Sequence, residues 1–468
     1  MTVRSFAPQE VQSFGRLSGD VNPIHVDPIA ARRMIFNRPV VHGVMLIAWL
    51  LDDQLRQHGG GRARLRALKA LFLQPAPVGD ELTLESSGQW PKLRFRILWR
   101  GTVAARGSVE YEDRSAIDDM PVSEAPAPGA PALVDSSAFA SMTGEERLEL
   151  GPGLEALFPD LASGLPRSQI AVLAALTRIV GMHCPGLRSI LAEIDLGFEQ
   201  QAAPALAWKV AEFDDRFGRL TLEVGSPLVR GTMVAFERPV AERSAKEAVL
   251  LSSIASGEFN GVKALVVGAT RGLGGTLTRL LVVGGAEVVG TFNMGKDEAA
   301  ALAKELGSGP GQCRFERLDI FEHDTAGLRR IADDAGGFTH LLYTATPPIF
   351  VGAKGSFSDA LFEHFLEAYV RAFLRLFETV QAQGRSLSSV LFPSSVAVAE
   401  HQPGLTEYAM AKAAAEAMIA SLAAKHRDIR FLAPRLPRLE TDQTINRSGV
   451  TGEDPAPLAL DLLRQLRG

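Results

Sequence analysis

Cysteine is nearly absent: only Cys184 and Cys313 carry a thiol, and they lie far apart in a chain of 468 residues. Two isolated thiols make neither a disulfide framework nor a thiolate metal site, and they fit a reducing compartment. No cluster of residues stands at metal-ligand spacing, so no metal is expected. Basic residues are not in excess. The net charge of −5 provides no global field to attract nucleic acid. Long apolar runs are missing too. The longest, residues 40–51, is interrupted by His42 and Gly43 and is too short to span a bilayer. The first residues include Arg4, Gln9 and Glu10 without an apolar stretch, so no secretory leader is expected. These absences predict a cytoplasmic, soluble protein that neither inserts into a membrane nor binds nucleic acid.

Apolar content, by contrast, is ample. Hydrophobic residues make up 46% and charged residues 22%, which fits a globular protein with sizeable cores. The length suggests roughly two to three domains. Residues 264–275 read Ala-Leu-Val-Val-Gly-Ala-Thr-Arg-Gly-Leu-Gly-Gly, a β-branched run, a glycine-rich turn and the start of an apolar helix. Such a turn lets backbone approach a pyrophosphate, and the helix start supplies N–H donors. The candidate phosphate loop comprises Gly268, Thr270, Arg271, Gly272, Leu273 and Gly274. Further on, Tyr408 and Lys412 are four apart, on one face of a helix. A lysine ammonium there is expected to lower the phenol from about 10. A tyrosine so tuned exchanges a proton with an oxygen that Ser395 would hold.

Glycine loop, Asp319 after the third predicted strand, Ser395 and Tyr408-x-x-x-Lys412 together resemble the short-chain dehydrogenase/reductase family, over roughly residues 258–445. The resemblance implies a Rossmann-type, doubly wound parallel sheet in residues 259–468, and strands alternate with helices there as such a sheet requires. It implies catalytic roles for Ser395, Tyr408 and Lys412, and cofactor contacts from the phosphate loop, Asp319 (at the adenine edge), Thr344, Tyr408 and Lys412. The second strand ends in Thr291-Phe292-Asn293 with no acid for the ribose hydroxyls, while Arg271 stands ready for a 2′-phosphate. NADPH is therefore expected rather than NAD. The chain departs from the family at Thr344-Ala345-Thr346, at Tyr369 in place of a relay asparagine, and at Pro434-Arg435 in place of Pro-Gly.

Near the N terminus stand Ser18, Asp20, Asn22, Pro23 and His25, followed by His42-Gly43. An aspartate and a histidine so spaced can grip one water from two sides. The string resembles the MaoC-type (R)-specific enoyl-thioester hydratases, over roughly residues 5–112. It implies a hot-dog fold, a helix cradled by an antiparallel sheet. Asp20 and His25 would be the catalytic pair, Ser18 and Asn22 would orient them, and the Gly43 N–H would polarise the thioester carbonyl. Asp27 reads as a helix cap and His42 as structural.

The organisation expected is a hydratase unit in residues 1–112 and a linker in 113–132. Residues 133–238 echo its order of helix and strands without the catalytic string, so a second, non-catalytic hot-dog unit is expected. A linker in 239–258 leads to the reductase. The fold class is thus α+β and α/β, a double hot-dog before a Rossmann-type sheet. The two chemistries are consecutive, reduction of a 3-oxoacyl thioester and dehydration of the (R)-3-hydroxyacyl product. Expected partners are acyl-CoA or an acyl carrier protein thioester, and a second copy of the chain in a homo-oligomer. Rival readings are a hydratase with a degenerate reductase, a non-catalytic acyl- or carrier-binding scaffold, and a tailoring reductase for a sugar or polyketide ketone.

Overall fold

The computed structural model describes residues 1–468 apart from 32, 33, 35, 37, 60, 61, 114–121, 239–244, 323, 350–356, 383–386, 442, 443, 445–451 and 468. The chain divides into two units, Met1–Val240 and Ala241–Gly468.

The first unit opens with β1 (Thr2–Ser5), α1 (Pro8–Ser18), a single turn α2 (Pro23–Val26) and the long helix α3 (Gly43–Gln57). A helix without a continuous polar face must be surrounded, and every α3 residue from Val44 to Leu51 is buried. Around it run β2 (Ala63–Phe72), β3 (Glu81–Gln89), β4 (Lys92–Trp99) and β5 (Thr102–Asp113). The pattern then recurs: β6 (Thr143–Arg147), a buried helix α4 (Arg167–Arg178), β7 (Ser189–Phe198), β8 (Ala205–Asp214), β9 (Arg219–Gly225) and β10 (Val229–Glu237).

These ten strands form one sheet in the order β1-β3-β4-β5-β2-β7-β10-β9-β8-β6. From the centre outwards each half reads alike. The first strand after the helix comes first, then the fourth, third and second, and the strand preceding the helix forms the edge. Residues 143–237 thus repeat the topology of residues 2–113, and the halves join where β2 and β7 pair antiparallel, Ala67 opposite Gly197. One apolar core runs through both halves, from Phe6 to Ala235.

Both edge strands escape a reading by hydrophobic period. Thr2–Ser5 and Thr143–Arg147 are short and alternate between exposed and half-buried, because pairing to one neighbour rather than burial holds them. The expected linker also changes character. Ser123–Glu124 pairs with Glu149–Leu150, and the Ala132 N–H donates to the Met182 carbonyl, so its second part is built into the unit. Its residues 114–121 lie outside the described residues. Of the alanine-rich piece at residues 30–34, the turn Pro28–Ala31 forms the start, and residues 32 and 33 lie outside the described ones.

The second unit comprises α5 (Ala245–Ser253), β11 (Lys263–Val267), α6 (Gly272–Val283), β12 (Glu287–Phe292), α7 (Lys296–Leu306), β13 (Gln312–Arg317), α8 (Thr325–Asp334), β14 (His340–Tyr343), α9 (Asp359–Leu366), α10 (Ala372–Ala382), β15 (Ser389–Leu391), α11 (Thr406–Lys425), β16 (Arg430–Leu432) and α12 (Pro455–Arg467). Its parallel sheet has the order β13-β12-β11-β14-β15-β16. That order reverses between β11 and β14, where an open α/β sheet leaves a crevice for ligands at its strand ends. One core lies on each face, around Leu277 and Leu281 on one and Phe373 and Ala411 on the other. Among the described residues, no helix is long and apolar enough to cross a membrane.

One buried side chain couples the two hot-dog halves. Register between β2 and β5 shifts between Leu65 and Ala67. There Gln169 of α4 accepts the Leu65 N–H at 2.7 Å and donates to the Leu65 carbonyl at 2.9 Å. Gln169→Leu leaves both backbone groups buried and unpaired. It should cost about 1–3 kcal/mol, read as a lower urea midpoint at unchanged slope. An unmoved midpoint would show that the bulge needs no such partner.

Candidate active sites

Helix α1 ends at Gly19, in the left-handed region with φ 77°, and the chain turns inward so that Asp20 is only 1% exposed. Pro23 then opens α2 with Asn22 as its cap, the Asn22 Oδ1 accepting the Ile24 N–H at 3.2 Å. Asp20 Oδ1 accepts the Asn22 N–H at 3.1 Å. Asp20 Oδ2 accepts the Thr177 hydroxyl at 2.6 Å. Ser18 donates to the Phe14 carbonyl at 2.8 Å and accepts the Asp20 N–H at 3.2 Å. The Asn22 Nδ2 reaches the second half, donating to the Gly181 carbonyl at 2.9 Å and the Gly186 carbonyl at 3.1 Å. Ser18 and Asn22 therefore hold backbone around Asp20. Asp27 caps the next turn, its Oδ1 accepting the Ile29 and Ala30 N–H groups at 2.8 and 3.0 Å.

His25 rides on α2. Its Nδ1 lies 2.7 Å from the Val40 carbonyl. A carbonyl only accepts, so that nitrogen carries the proton and Nε2 keeps its lone pair. His42 caps α3 with its Nε2 3.0 Å from the Asp20 carbonyl. The same rule puts its proton there, and its buried Nδ1 has no hydrogen-bond partner. The two imidazoles stack at 3.8 Å with planes 24° apart. The structural role expected of His42 is thus played inside the site, against both members of the pair. Gly43 follows as the first residue of α3, where N–H groups have no intrahelical acceptor. A Cβ there would come within 3.1 Å of the Phe72 ring.

No metal-ligand cluster is legible in the sequence, yet the fold brings donor atoms of Asp20, His25 and His42 within 4.8 Å of one another. Rings stacked nearly parallel at 3.8 Å confine their in-plane lone pairs to two separate, nearly parallel planes. Lone pairs in two such planes do not converge on one cation about 2 Å from each nitrogen. The cluster has the geometry of an acid–base pair backed by a third ring.

In the second unit β11 runs into Gly268 at φ 85°, where a Cβ would come within 2.8 Å of the Ala345 backbone nitrogen. A Cβ on Gly274 would come within 2.1 Å of the Gly268 carbonyl oxygen. Glycine at both positions lets the turn close, so only four residues separate the strand from α6, with Arg271 at the helix cap position followed by Gly272 and Leu273. Thr270 stands in the turn before it. The Thr344 hydroxyl donates to the Val267 carbonyl at 2.8 Å, stitching the end of β14 to the loop. Asp319 lies just past β13, accepting the Phe321 N–H at 3.0 Å. Ser395 sits on a short strand, Ser394–Ser395, paired with Arg435–Leu436. Arg435 also pairs with Glu416 of α11 at 2.7 Å, tying that strand pair to the helix of Tyr408 and Lys412. The Ser395 Oγ accepts the Ala397 N–H at 3.2 Å.

Residues 1–95 match the family model described as MaoC like domain, and residues 262–447 match that described as short chain dehydrogenase. The chain carries a MaoC-like domain followed by a short-chain dehydrogenase domain. The (R)-specific enoyl-CoA hydratase of Aeromonas caviae is 42% identical over 83 residues, which is 18% of this chain and 61% of that protein. The peroxisomal multifunctional enzyme type 2 of Mus musculus is 32% identical over 82 residues, 17% of this chain and 11% of that protein. The match thus spans less than two thirds of either relative. The solved structure of the angucycline C-6 ketoreductase LanV with bound NADP is 19% identical, with a TM-score of 0.42 over 45% of this chain and 91% of that one.

In the MaoC-like domain burial pushes the Asp20 carboxyl above its ordinary value, while His25, the Thr177 hydroxyl and the Asn22 N–H pull it back. Burial holds His25 below its ordinary value, opposed by Asp20, and holds His42 well below. Thr177 and Gly181, both outside the matched residues, were not foreseen as part of this site. No signal in their own neighbourhood marks them, because their partners are about 160 positions away in sequence, as the Thr177–Asp20 separation of 157 shows.

The dehydrogenase domain corrects one expectation. Tyr408 is not lowered by Lys412. Burial raises the phenol, with the nearby Ser395 hydroxyl opposing. Lys412 is itself desolvated and falls to about 7. Its Nζ donates to the Pro393 carbonyl at 2.7 Å and sits 4.0 Å from the centroid of the Tyr369 ring. Tyr369 projects from the π-type turn Glu367–Arg371 that joins α9 to α10, and its hydroxyl lies 2.5 Å from the Thr346 Oγ1. Two of the three departures from the family pattern, Thr346 and Tyr369, thus meet beside the lysine.

A lysine lowered from 10.5 to about 7 disfavours folding while it is charged in the unfolded chain. Between those values the unfolded chain binds the proton that the folded chain has lost, so stability rises with pH across that window. Lys412→Met removes the effect. Its stability advantage in urea unfolding should be largest near pH 6 and shrink toward pH 10, and an advantage independent of pH would contradict the buried, desolvated lysine.

Proposed function

We propose that this chain is a bifunctional acyl-thioester enzyme. The dehydrogenase domain reduces a 3-oxoacyl thioester to the (R)-3-hydroxyacyl thioester. The MaoC-like domain interconverts that alcohol with the trans-2-enoyl thioester. The observation that carries this reading is the cluster in which donor atoms of Asp20, His25 and His42 lie within 4.8 Å of one another, with the His25 Nδ1 proton held by the Val40 carbonyl so that Nε2 keeps its lone pair. A water held between them gives up a proton as its oxygen bonds to C3 of the enoyl thioester, and C2 is protonated. The reverse path removes the same elements. The Gly43 N–H and the positive end of α3 face the charge that develops on the thioester oxygen.

In the other domain the glycine turn suits a dinucleotide: Gly268 and Gly274 pack against the Ala345 and Gly268 backbone with no room for a Cβ, and the tight turn this allows leads into a helix start whose N–H groups can meet a pyrophosphate. A bound nicotinamide supplies the hydride. NADPH is favoured over NADH by Arg271 at the helix start and by the absence of an acid at Phe292-Asn293. Ser395 holds the ketone oxygen and Tyr408 protonates it. A phenol raised by burial is protonated at neutral pH, which suits reduction rather than alcohol oxidation. The acyl group would arrive on coenzyme A or an acyl carrier protein, and a homo-oligomer in the cytoplasm remains the expected form. A second reading, a hydratase joined to a dehydrogenase domain without turnover, is favoured by the Tyr369 ring against Lys412.

The test is the protein mixed with NADPH and a short 3-oxoacyl thioester, followed by absorbance and product mass. NADPH loss with an enoyl product is expected. Asp20→Asn should abolish the enoyl product but not NADPH loss, and Tyr408→Phe should slow NADPH loss by about 10²-fold or more while hydration of crotonyl thioester persists. Hydration without NADPH loss at any acyl length selects the second reading. Neither activity would sink both.

A further inference from the structure

We propose that Thr177, in the half of the MaoC-like unit that lacks the Asp-x-Asn-Pro-x-His string, is a positioning residue for Asp20. The inference rests on the hydratase reading above and extends its machinery to the second half.

Thr177 is the penultimate residue of α4 and is 4% exposed. A helical threonine usually returns its hydroxyl proton to the carbonyl four residues back. A hydroxyl has one proton to donate, and here it goes to Asp20 Oδ2 at 2.6 Å, the length of a charge-assisted bond. Asp20 thus has one donor from its own loop, the Asn22 N–H on Oδ1, and one from the far half on Oδ2. The two fix the plane of the carboxylate. With only the local donor the carboxylate can rotate about its Cβ–Cγ bond and lose its aim at the water shared with His25.

A second observation comes from four residues further on. Helix α4 passes into a π-type turn, Ile179–His183. A Cβ on Gly181 in that turn would come within 2.3 Å of Asp20 Oδ1 and 2.5 Å of Oδ2. Backbone of the second half therefore lies directly against the carboxylate, and Thr177 stands on the same side of it. The register of α4 is held independently. Arg178 donates from Nη1 to the Ser18 carbonyl at 2.6 Å and pairs through Nε with Glu146 at 2.6 Å. Loss of the Thr177 hydroxyl should leave the helix in place and free only the carboxylate.

The experiment measures crotonyl-thioester hydration by the full chain and by Thr177→Val, Thr177→Ser and Thr177→Ala. Valine keeps the shape without the hydroxyl, serine keeps the hydroxyl without the methyl, and alanine keeps neither. We expect kcat to fall about tenfold or more in the valine and alanine variants with KM within about twofold, and serine to restore kcat to within about threefold. A merely structural threonine predicts the opposite order, with serine as slow as alanine. That order, or a valine variant within about twofold of the parent, overturns the inference. Because serine and alanine alone decide between hydroxyl and methyl, the result stands even where valine fails to fold. A parent chain that does not hydrate the thioester, or whose hydration survives Asp20→Asn, fails at the hydratase reading instead and takes this inference with it.

Discussion

A carboxylate taken almost wholly out of water sets the terms for the first unit. Burying an unpaired charge costs about several kcal/mol, so Asp20 exists there only because donors meet it. They come from both halves of the sheet: the Asn22 N–H and the Thr177 hydroxyl. The Asp20 backbone carbonyl is held as well, by His42. Much of the surrounding structure follows. Gly19 must take a left-handed turn to aim the residue inward. Gly181 must lack a side chain to leave room for it. Asn22 must cap one helix and clasp the opposite half at once. The pseudo-symmetric sheet provides the frame in which a loop of one half meets the helix end of the other.

The dehydrogenase domain solves a different problem, how to place backbone N–H groups where negative charge can approach. Its solution is close contact rather than polar density. Gly268 and Gly274 let strand, loop and neighbouring strand end touch, and the Thr344 hydroxyl locks the touch. The Tyr408 and Lys412 side chains beside it are buried, and that burial governs their protonation. Burial drives Lys412 toward neutrality and Tyr408 away from phenolate. The aromatic wall of Tyr369, Phe392 and Tyr408 around the Lys412 ammonium partly replaces the solvent it has lost.

Elements with a strong period were legible from residues alone. The residues of β7 (Ser189–Phe198) and the strand–turn–helix of Lys263–Val267 and Gly272–Val283 stand out because burial on one or both faces leaves a pattern in the side chains. The edge strands Thr2–Ser5 and Thr143–Arg147 do not, since an edge strand is held by backbone hydrogen bonds that any side chain permits. The lysine–tyrosine expectation failed for a related reason. Spacing of four on a helix tells which side chains share a face, but not how deeply both of them are buried.

By itself the sequence determined the chemistry on offer: an aspartate and histidine beside a helix start, a glycine turn after a strand, and a serine, tyrosine and lysine in order. Local spacing suffices for these, because caps, turns and helix faces are short-range. Only the tertiary structure decided how that chemistry is tuned. The donor to Asp20 Oδ2, the glycine against its carboxylate, the imidazole stacked on His25 and the ring beneath Lys412 all arrive from distant segments. Desolvation is a property of everything that surrounds a group, and no stretch of sequence contains its own surroundings.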